Sequence, residues 1–412
     1  MLTMSIKFAR SVDRYVGIPI CLFLTFLYKI QKSFAISKKG YSSQPKKILF
    51  IQLSEMGSMV LGVPAIKAAK KLFPHAEIFF LTFDEMKNSI MALKVVPQEN
   101  IMTIRGESLQ MMVLDTIGFI RKARSLKIDT TIDFELFSRL SAVLSFLSGA
   151  KFRSGFFRFY SEGMYRGNML THKVAYNYNL HISYGFLSLV HALNAPEDEV
   201  PMLKKAFTKD DILPHCITST VEEKEKMWEQ LKAINPKISS KNKIVIIAPD
   251  PSPFIPVRAW PLENYIHLTK LLLEDHNVFV VLTGVSQATD NANSIKDTVK
   301  SDRCIDLVGK TKFHELIDLY NISDLLISTD GGPGHFASAT PIKSIIMFGP
   351  ETPDLYAPLG DNCIPLSSRL ACSPCVSVFN FRRTPCNDNK CMQTIKPDYV
   401  YDIAKKTLAK NN

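Results

Sequence analysis

Several absences bound what this 412-residue chain can be. It has no Walker-type lysine motif, so any phosphate it holds is bound outside the P-loop mode. It has no internal repeat and no low-complexity tract, which leaves compact folded domains rather than an array or a linker. Acids are almost missing from residues 1–47. Asp13 stands alone there against Lys7, Arg10, Arg14, Lys29, Lys32, Lys38, Lys39, Lys46 and Lys47, so this segment carries +8 of the chain's formal net charge of +11. The remainder is close to balanced, and no nucleic-acid partner is expected.

Long apolar runs are scarce as well. Residues 16–28 form a short one with bases on both sides, but a membrane span needs about 20 residues and Pro19 interrupts this run. No small-residue cleavage site follows, and Lys29 and Lys32 come at once, which argues against a signal peptide. Basic flanks around a short apolar face fit a segment lying in an anionic membrane surface. The other reading is a helix packed on the protein's own body. On the first reading the protein is cytoplasmic and peripheral on the inner face of the cytoplasmic membrane. Eight cysteines in a chain this long do not suggest a secreted disulfide framework. Four of them, Cys372, Cys375, Cys386 and Cys391, cluster near the end, and zinc ligation and a set of reduced thiols are both open.

What is present is an ordinary globular composition, 46% apolar and 22% charged, at a length typical of two or three domains. Strand-like runs at 48–53, 78–81, near 101 and at 129–134 alternate with helical patterns at 60–73, 109–126, 137–147 and 180–193. A second series follows: strands at 244–248, 278–283, near 305, 325–327 and 344–348, with helices at 262–273, to about 299, 313–320 and 398–409. Such alternation predicts parallel pairing in doubly wound sheets. The expected organisation is an N-terminal membrane-associating segment (1–44), a Rossmann-like domain (45–205), a connection (206–242), a second Rossmann-like domain (243–396) and a terminal helix (397–412). The α/β architecture is then two doubly wound domains facing a central cleft.

The candidate chemistry gathers at strand ends of the second half. Ser328-Thr-Asp-Gly-Gly-Pro-Gly-His-Phe-Ala337 follows an apolar strand and enters a helix. Its glycines, Gly331, Gly332 and Gly334, leave amides open for a diphosphate, with His335 beside them. Asp330, at the strand's carboxyl end, is placed to accept from sugar hydroxyls. Ser252 follows the first strand of this half, Arg258 precedes its first long helix, and Lys310 and Thr311 open another. Guanidinium suits phosphate oxygens. Arg139, Lys151 and Arg153 in the first half would suit an acidic, phosphorylated glycolipid.

Taken in order, Arg-Ala-Trp-Pro (258–261), Val-Gly-Lys-Thr (308–311), Ser-Thr-Asp-Gly-Gly-Pro-Gly-His-Phe-Ala (328–337), Met-Phe-Gly-Pro-Glu-Thr-Pro (347–353) and Cys-Ser-Pro-Cys (372–375) resemble glycosyltransferase family 9, the heptosyltransferases of bacterial envelope assembly. The turn Leu-Ser-Glu-Met-Gly-Ser (53–58) fits the same family. The resemblance covers roughly residues 45–405 and implies a GT-B fold in which 45–205 binds the acceptor, 243–396 binds the donor and the helix 397–412 crosses back. It also implies an ADP-activated heptose as donor, a lipid-linked saccharide as acceptor, inversion, and no required metal or other cofactor. It implies that Asp330 holds the sugar hydroxyls and that the amides from Gly331 to His335 bind the diphosphate with Arg258, Lys310 and Thr311. Ser252 would touch phosphate, although Pro-Asp-Pro-Ser departs from the family's Pro-Gly. A sharper departure is Gly57-Ser58, where the family has Gly-Asp with the Asp as general base. A serine hydroxyl does not take that proton unaided. Glu55, in the same turn, is the nearest carboxylate and the expected base. Two other readings are the same fold using another nucleotide sugar, and a donor-binding subunit with little activity that scaffolds envelope enzymes.

Overall fold

A computed structural model describes residues 6–34, 44–160, 163–195, 199–200, 203–249 and 255–409. They fall into two compact units, Met1–Ile212 and Leu213–Asn412. The first begins with α1 (Ile6–Tyr15) and α2 (Gly17–Phe34). It then alternates β1 (Lys47–Ile51), α3 (Met56–Leu72), β2 (Glu77–Phe83), α4 (Lys87–Ala92), β3 (Ile101–Ile104), α5 (Leu109–Ser125), β4 (Thr130–Asp133), α6 (Arg139–Leu147), β5 (Phe152–Phe156), β6 (His172–Val174) and α7 (Ile182–His191). All pairs are parallel, in the order β3-β2-β1-β4-β5-β6. Helices cover both faces of such a sheet, which is why β1 after Lys47 is the unbroken apolar run Ile-Leu-Phe-Ile. Phe134, just past β4, stacks on Phe186 of α7 with ring centroids 4.4 Å apart. Gly62 of α3 is required there, because a Cβ would sit 2.7 Å from the Phe134 ring.

The second unit contains α8 (Val221–Ile234), β7 (Lys243–Ala248), α9 (Leu262–Leu273), β8 (Val278–Leu282), α10 (Thr289–Val299), β9 (Cys304–Asp306), α11 (Phe313–Ile322), β10 (Leu325–Thr329), α12 (Gly332–Ser338), β11 (Lys343–Phe348), α13 (Pro353–Tyr356), β12 (Cys363–Ser367), α14 (Lys390–Gln393) and α15 (Pro397–Ala409). Its order, β12-β11-β10-β7-β8-β9, repeats that of the first unit when each unit's strands are counted from its own first. Both sheets therefore reverse direction beside their first strand, between β1 and β4 and between β7 and β10. A doubly wound sheet opens its ligand crevice there, beyond the carboxyl ends.

Three strands escape the apolar pattern. β5 carries Arg153 and Gly155, β6 is three residues long, and β12 contains Pro365. The last two are edge strands, where short length and proline are tolerated. Much of the expected connection, 206–242, is not a linker: α8 packs against α11 in the second unit. The terminal helix is α15, whose Val400 and Ala404 are buried in that unit's core.

The N-terminal helix is longer than the sequence suggests. Pro19 falls in the first turn of α2, where its missing N–H costs nothing, so it does not interrupt the run. Among the described residues, Ser11–Phe34 is long and apolar enough to cross a membrane by length and composition, with mean hydropathy 1.3. One face is nevertheless committed to the protein: Cys21 and Leu24 pack with Ala142 of α6 and Met169. Asp13 receives the Arg139 backbone N–H at 3.0 Å and pairs with its guanidinium at 2.9 Å.

His172 on β6 makes acid sensitivity testable. Burial, with the Arg153 charge adding to it, pushes its pKa from 6.5 down to about 4. The unfolded chain binds this proton first as pH falls, so the stability is complete above about pH 6.5 and is lost toward pH 4. Urea unfolding of His172→Asn across that window should show a flatter acid decline than the parent; an equal decline would remove His172 as a source.

Candidate functional site

In the first unit the carboxyl ends of β1 and β4 lie side by side, with Ile51 opposite Asp133. The turn after β1 carries Glu55 in the left-handed region at φ 73°, uncommon for a residue with a side chain. Glu55 heads α3 but makes no side-chain capping bond to it. Ser58 Oγ donates to Glu55 Oε2 at 3.0 Å, which brings the two sequence candidates together. Asp133 and Glu135 stand at the neighbouring strand end, and the buried Arg166 pairs with Asp133. Neither carboxylate was singled out from sequence. An acid ending a short apolar strand beside the switch point was the signal available.

Arg139, Lys151 and Arg153 do not line an acceptor site. Arg139 is buried against Asp13 of α1. The Arg153 guanidinium donates to the Met169 carbonyl at 2.7 Å and lies 5.0 Å from the Tyr28 ring centroid. Lys151 is exposed just before β5, at the amino edge of the sheet, opposite the end that carries Glu55. The N-terminal helices, invisible to a reading of 45–205 alone, are what occupy these arginines.

In the second unit Asp330 follows β10, and its N–H donates to Met347 of β11 at 2.9 Å. Arg258 Nη2 lies 3.3 Å from Asp330 Oδ2 and also pairs with Glu351, just past β11. Arg382 stands 3.8 Å from the other oxygen of Glu351. Arg258, Asp330 and Glu351 are all buried. Arg258 is thus held by two carboxylates, and it shapes the loop rather than standing unpaired for phosphate. Glu351 lies in the 347–353 motif but had no assigned role; its position one turn past a strand's carboxyl end was the clue.

The glycines divide by what they do. Gly334 is needed for packing, since a Cβ would lie 2.7 Å from Ile346 of β11. A Cβ at Gly331 would meet only ordinary contacts, 3.8 Å from the Pro333 ring, and both Gly331 and Gly332 are half-exposed beside Asp330. His335 is buried within α12. Lys310 is exposed and pairs with Asp306 at the end of β9, while Thr311 is half-buried next to it. Ser252 lies outside the described residues.

The four late cysteines are free thiols, Cys391 buried, Cys375 and Cys386 half-buried and Cys372 exposed. Among the described residues no group of three or more His, Cys, Asp or Glu side chains could hold a metal ion. Cys391 is turned into the core under Gly349, and burial pushes its thiol pKa up, which disfavours the thiolate a metal needs. Cys375, Cys386 and Cys372 add to that shift, so the four thiols lie within electrostatic reach of one another.

Arg258→Met should destabilise the second unit by about 3–5 kcal/mol, because it strands two buried carboxylates. Arg258→Lys should recover part of that loss. Urea unfolding followed by Trp260 fluorescence reports on it, and an unchanged midpoint would show that the cluster does not hold the loop.

With this geometry in place, comparison with known proteins is informative. The sequence model for glycosyltransferase family 9 (heptosyltransferase) matches residues 119–381. Lipooligosaccharide heptosyltransferase 2 of Campylobacter jejuni is 25% identical over 182 residues, 43% of this chain and 56% of that protein. The chain thus spans little more than half the length of that relative. Lipopolysaccharide heptosyltransferase 3 of Escherichia coli is 23% identical over 313 residues, 75% of this chain and 84% of its own. Among solved structures, the E. coli ADP-heptose lps heptosyltransferase II superposes with TM-score 0.68 at 18% identity, covering 89% of this chain and 99% of that one. At that identity the superposition speaks for the shared GT-B fold.

Proposed function

Because the chain belongs to glycosyltransferase family 9, the heptosyltransferases, we propose that it moves a heptose from a nucleotide-diphosphate donor, ADP-heptose, to a lipid-linked saccharide of the lipopolysaccharide core. The transfer is inverting and metal-independent on this reading. The observation that carries it is the Asp330 loop. A carboxylate with half-exposed glycines sits at the carboxyl edge of the second sheet, beside its switch point, backed by Arg258. Open amides at Gly331 and Gly332 suit diphosphate oxygens, and the Asp330 carboxylate suits sugar hydroxyls. Lys310 and Thr311 add a cation and a hydroxyl, with Asp306 orienting the lysine until phosphate competes for it.

The acceptor half of the chemistry is assigned to the first unit. The acceptor hydroxyl oxygen attacks the anomeric carbon, the carbon–oxygen bond to the diphosphate breaks, and ADP leaves with the electron pair. Glu55 takes the hydroxyl proton, while Ser58 donates to its second oxygen and fixes the carboxylate. This assigns to the pair the role that Gly-Asp would fill in the family.

The decisive experiment is thermal stabilisation with a panel of nucleotide sugars, followed by turnover. A ligand at 100 times its Kd raises stability by about 2.7 kcal/mol. ADP-heptose should stand out. A different sugar standing out would keep the fold and change the donor; binding without turnover would favour the scaffold reading. Given turnover, Glu55→Gln should slow transfer on the order of 10²–10⁴-fold with donor KM unchanged, and Ser58→Ala should cost far less. A near-normal rate for Glu55→Gln would remove it as the base.

We assign the protein to the inner surface of the cytoplasmic membrane through α2. The face of α2 turned away from α6 shows Pro19, Phe23, Phe26 and Ile30 at helical spacing, with Phe23 60% and Phe26 61% exposed. Lys29 and Lys32 flank that stripe and suit anionic headgroups. Burying a phenylalanine contributes about 1.5–3 kcal/mol. Phe23→Ser with Phe26→Ser should therefore cut sedimentation with anionic vesicles by more than about tenfold. Unchanged sedimentation would place the anchor elsewhere, and resistance of the parent to alkaline extraction would mean that the helix spans.

A further inference from the structure

The turn carrying Glu55 is short, irregular and strained at Glu55 itself, so something has to hold it. The sheet reaches only part of it: the Gln52 N–H donates to Leu81 of β2 at 3.1 Å and the Leu53 carbonyl accepts from Phe83 at 3.1 Å, while the Leu53 and Ser54 amides lie beyond the strand pairing. One atom takes up that task. Glu135 Oε1 accepts from the Leu53 N–H at 2.7 Å, the Ser54 N–H at 3.1 Å and Gln52 Nε2 at 3.2 Å. Gln52 Nε2 also donates to the Ser54 carbonyl at 3.0 Å, closing the turn on itself. Glu135 is anchored in its own turn. Its N–H donates to Asp133 Oδ1 at 3.0 Å, and Arg166 Nη1 donates to its carbonyl at 3.0 Å while Nη2 pairs with Asp133. A continuous path of hydrogen bonds therefore runs from the buried Arg166–Asp133 pair through Glu135 to the residues immediately before Glu55.

We propose that Glu135 is a positioning residue, whose carboxylate oxygen clamps residues 52–54 and so sets the backbone that presents Glu55 to the acceptor. This rests on the transfer reading above and adds to it the group that fixes the base. Glu135 is a further carboxylate at this strand edge, bonded to the residues just before Glu55. Its Oε1 is a poor proton acceptor, because two backbone amides and a side-chain amide already stabilise the charged form. A clamp needs only an acceptor oxygen in the right place, whereas a base needs an ionised carboxylate. An amide in place of Glu135 separates the two roles.

The test uses the full chain and three variants, Glu135→Ala, Glu135→Gln and Glu55→Gln. The readouts are steady-state kinetics with ADP-heptose and hydrogen exchange of the peptide spanning residues 48–56. Glu135→Ala should lower kcat on the order of 10²-fold, the usual cost of a displaced catalytic group, with donor KM unchanged. It should also speed exchange at Leu53 and Ser54. Glu135→Gln keeps the acceptor oxygen, so it should restore most of the rate and the protection, while Glu55→Gln stays slow with protection intact. Wild-type kcat and unchanged exchange in Glu135→Ala would overturn the clamp. Glu135→Gln as slow as Glu135→Ala, with protection kept, would make Glu135 the base and overturn it equally. If the parent does not turn over, the transfer reading fails, and the exchange measurement still decides whether Glu135 holds the turn.

Discussion

A guanidinium buried among carboxylates at the carboxyl edge of a parallel sheet is the interaction on which each unit depends. A charge removed from water must be paired, and breaking such a pair is far more costly than omitting it. Arg258, Asp330 and Glu351 come from three separate segments: the approach to α9, the end of β10 and the loop after β11. They meet only because β10 and β11 run parallel in register, with Thr329 opposite Met347. The ion cluster thus ties loop conformation to strand pairing, and the half-exposed glycines beside Asp330 keep their shape without side chains of their own.

The first unit reaches a related arrangement with different residues. Arg166, from the segment between β5 and β6, pairs with Asp133 at the end of β4 and donates to the Glu135 carbonyl. The same strand order underlies both units, so the same edge in each is the place where backbone groups run out of sheet partners. In the first unit the Glu135 carboxylate replaces those partners in the residues before Glu55. In the second, the Arg258 guanidinium joins the Asp330 carbonyl and carboxylate to Glu351.

The N-terminal helices serve both the interior and the surface. Their inner face supplies Asp13 to Arg139 and lays Tyr28 against the Arg153 guanidinium. Their outer face leaves Phe23 and Phe26 exposed. A helix apolar on two sides reads from sequence as a single short hydrophobic run, because periodicity does not say which side is already occupied.

Most of the strand and helix order was legible, since buried parallel strands are continuous apolar runs and the intervening helices show a clear period. Asp330 and Glu55 were legible as acids at strand ends, and Ser58 as the neighbour of Glu55. The Gly-rich loop was legible too, though Gly334 proved to serve packing against Ile346. β5, β6 and β12 were missed because a short strand with an arginine or a proline carries no pattern of its own. The roles of Arg139, Arg153, Arg258, Glu135 and Glu351 were beyond reach for a different reason. Composition and spacing specify which groups can ionise, donate or accept, and those chemical capacities belonged to the sequence. Which partner each one meets depends on segments up to 126 residues apart, as with Asp13 and Arg139, and only the folded chain brings them within the few ångströms over which a hydrogen bond acts.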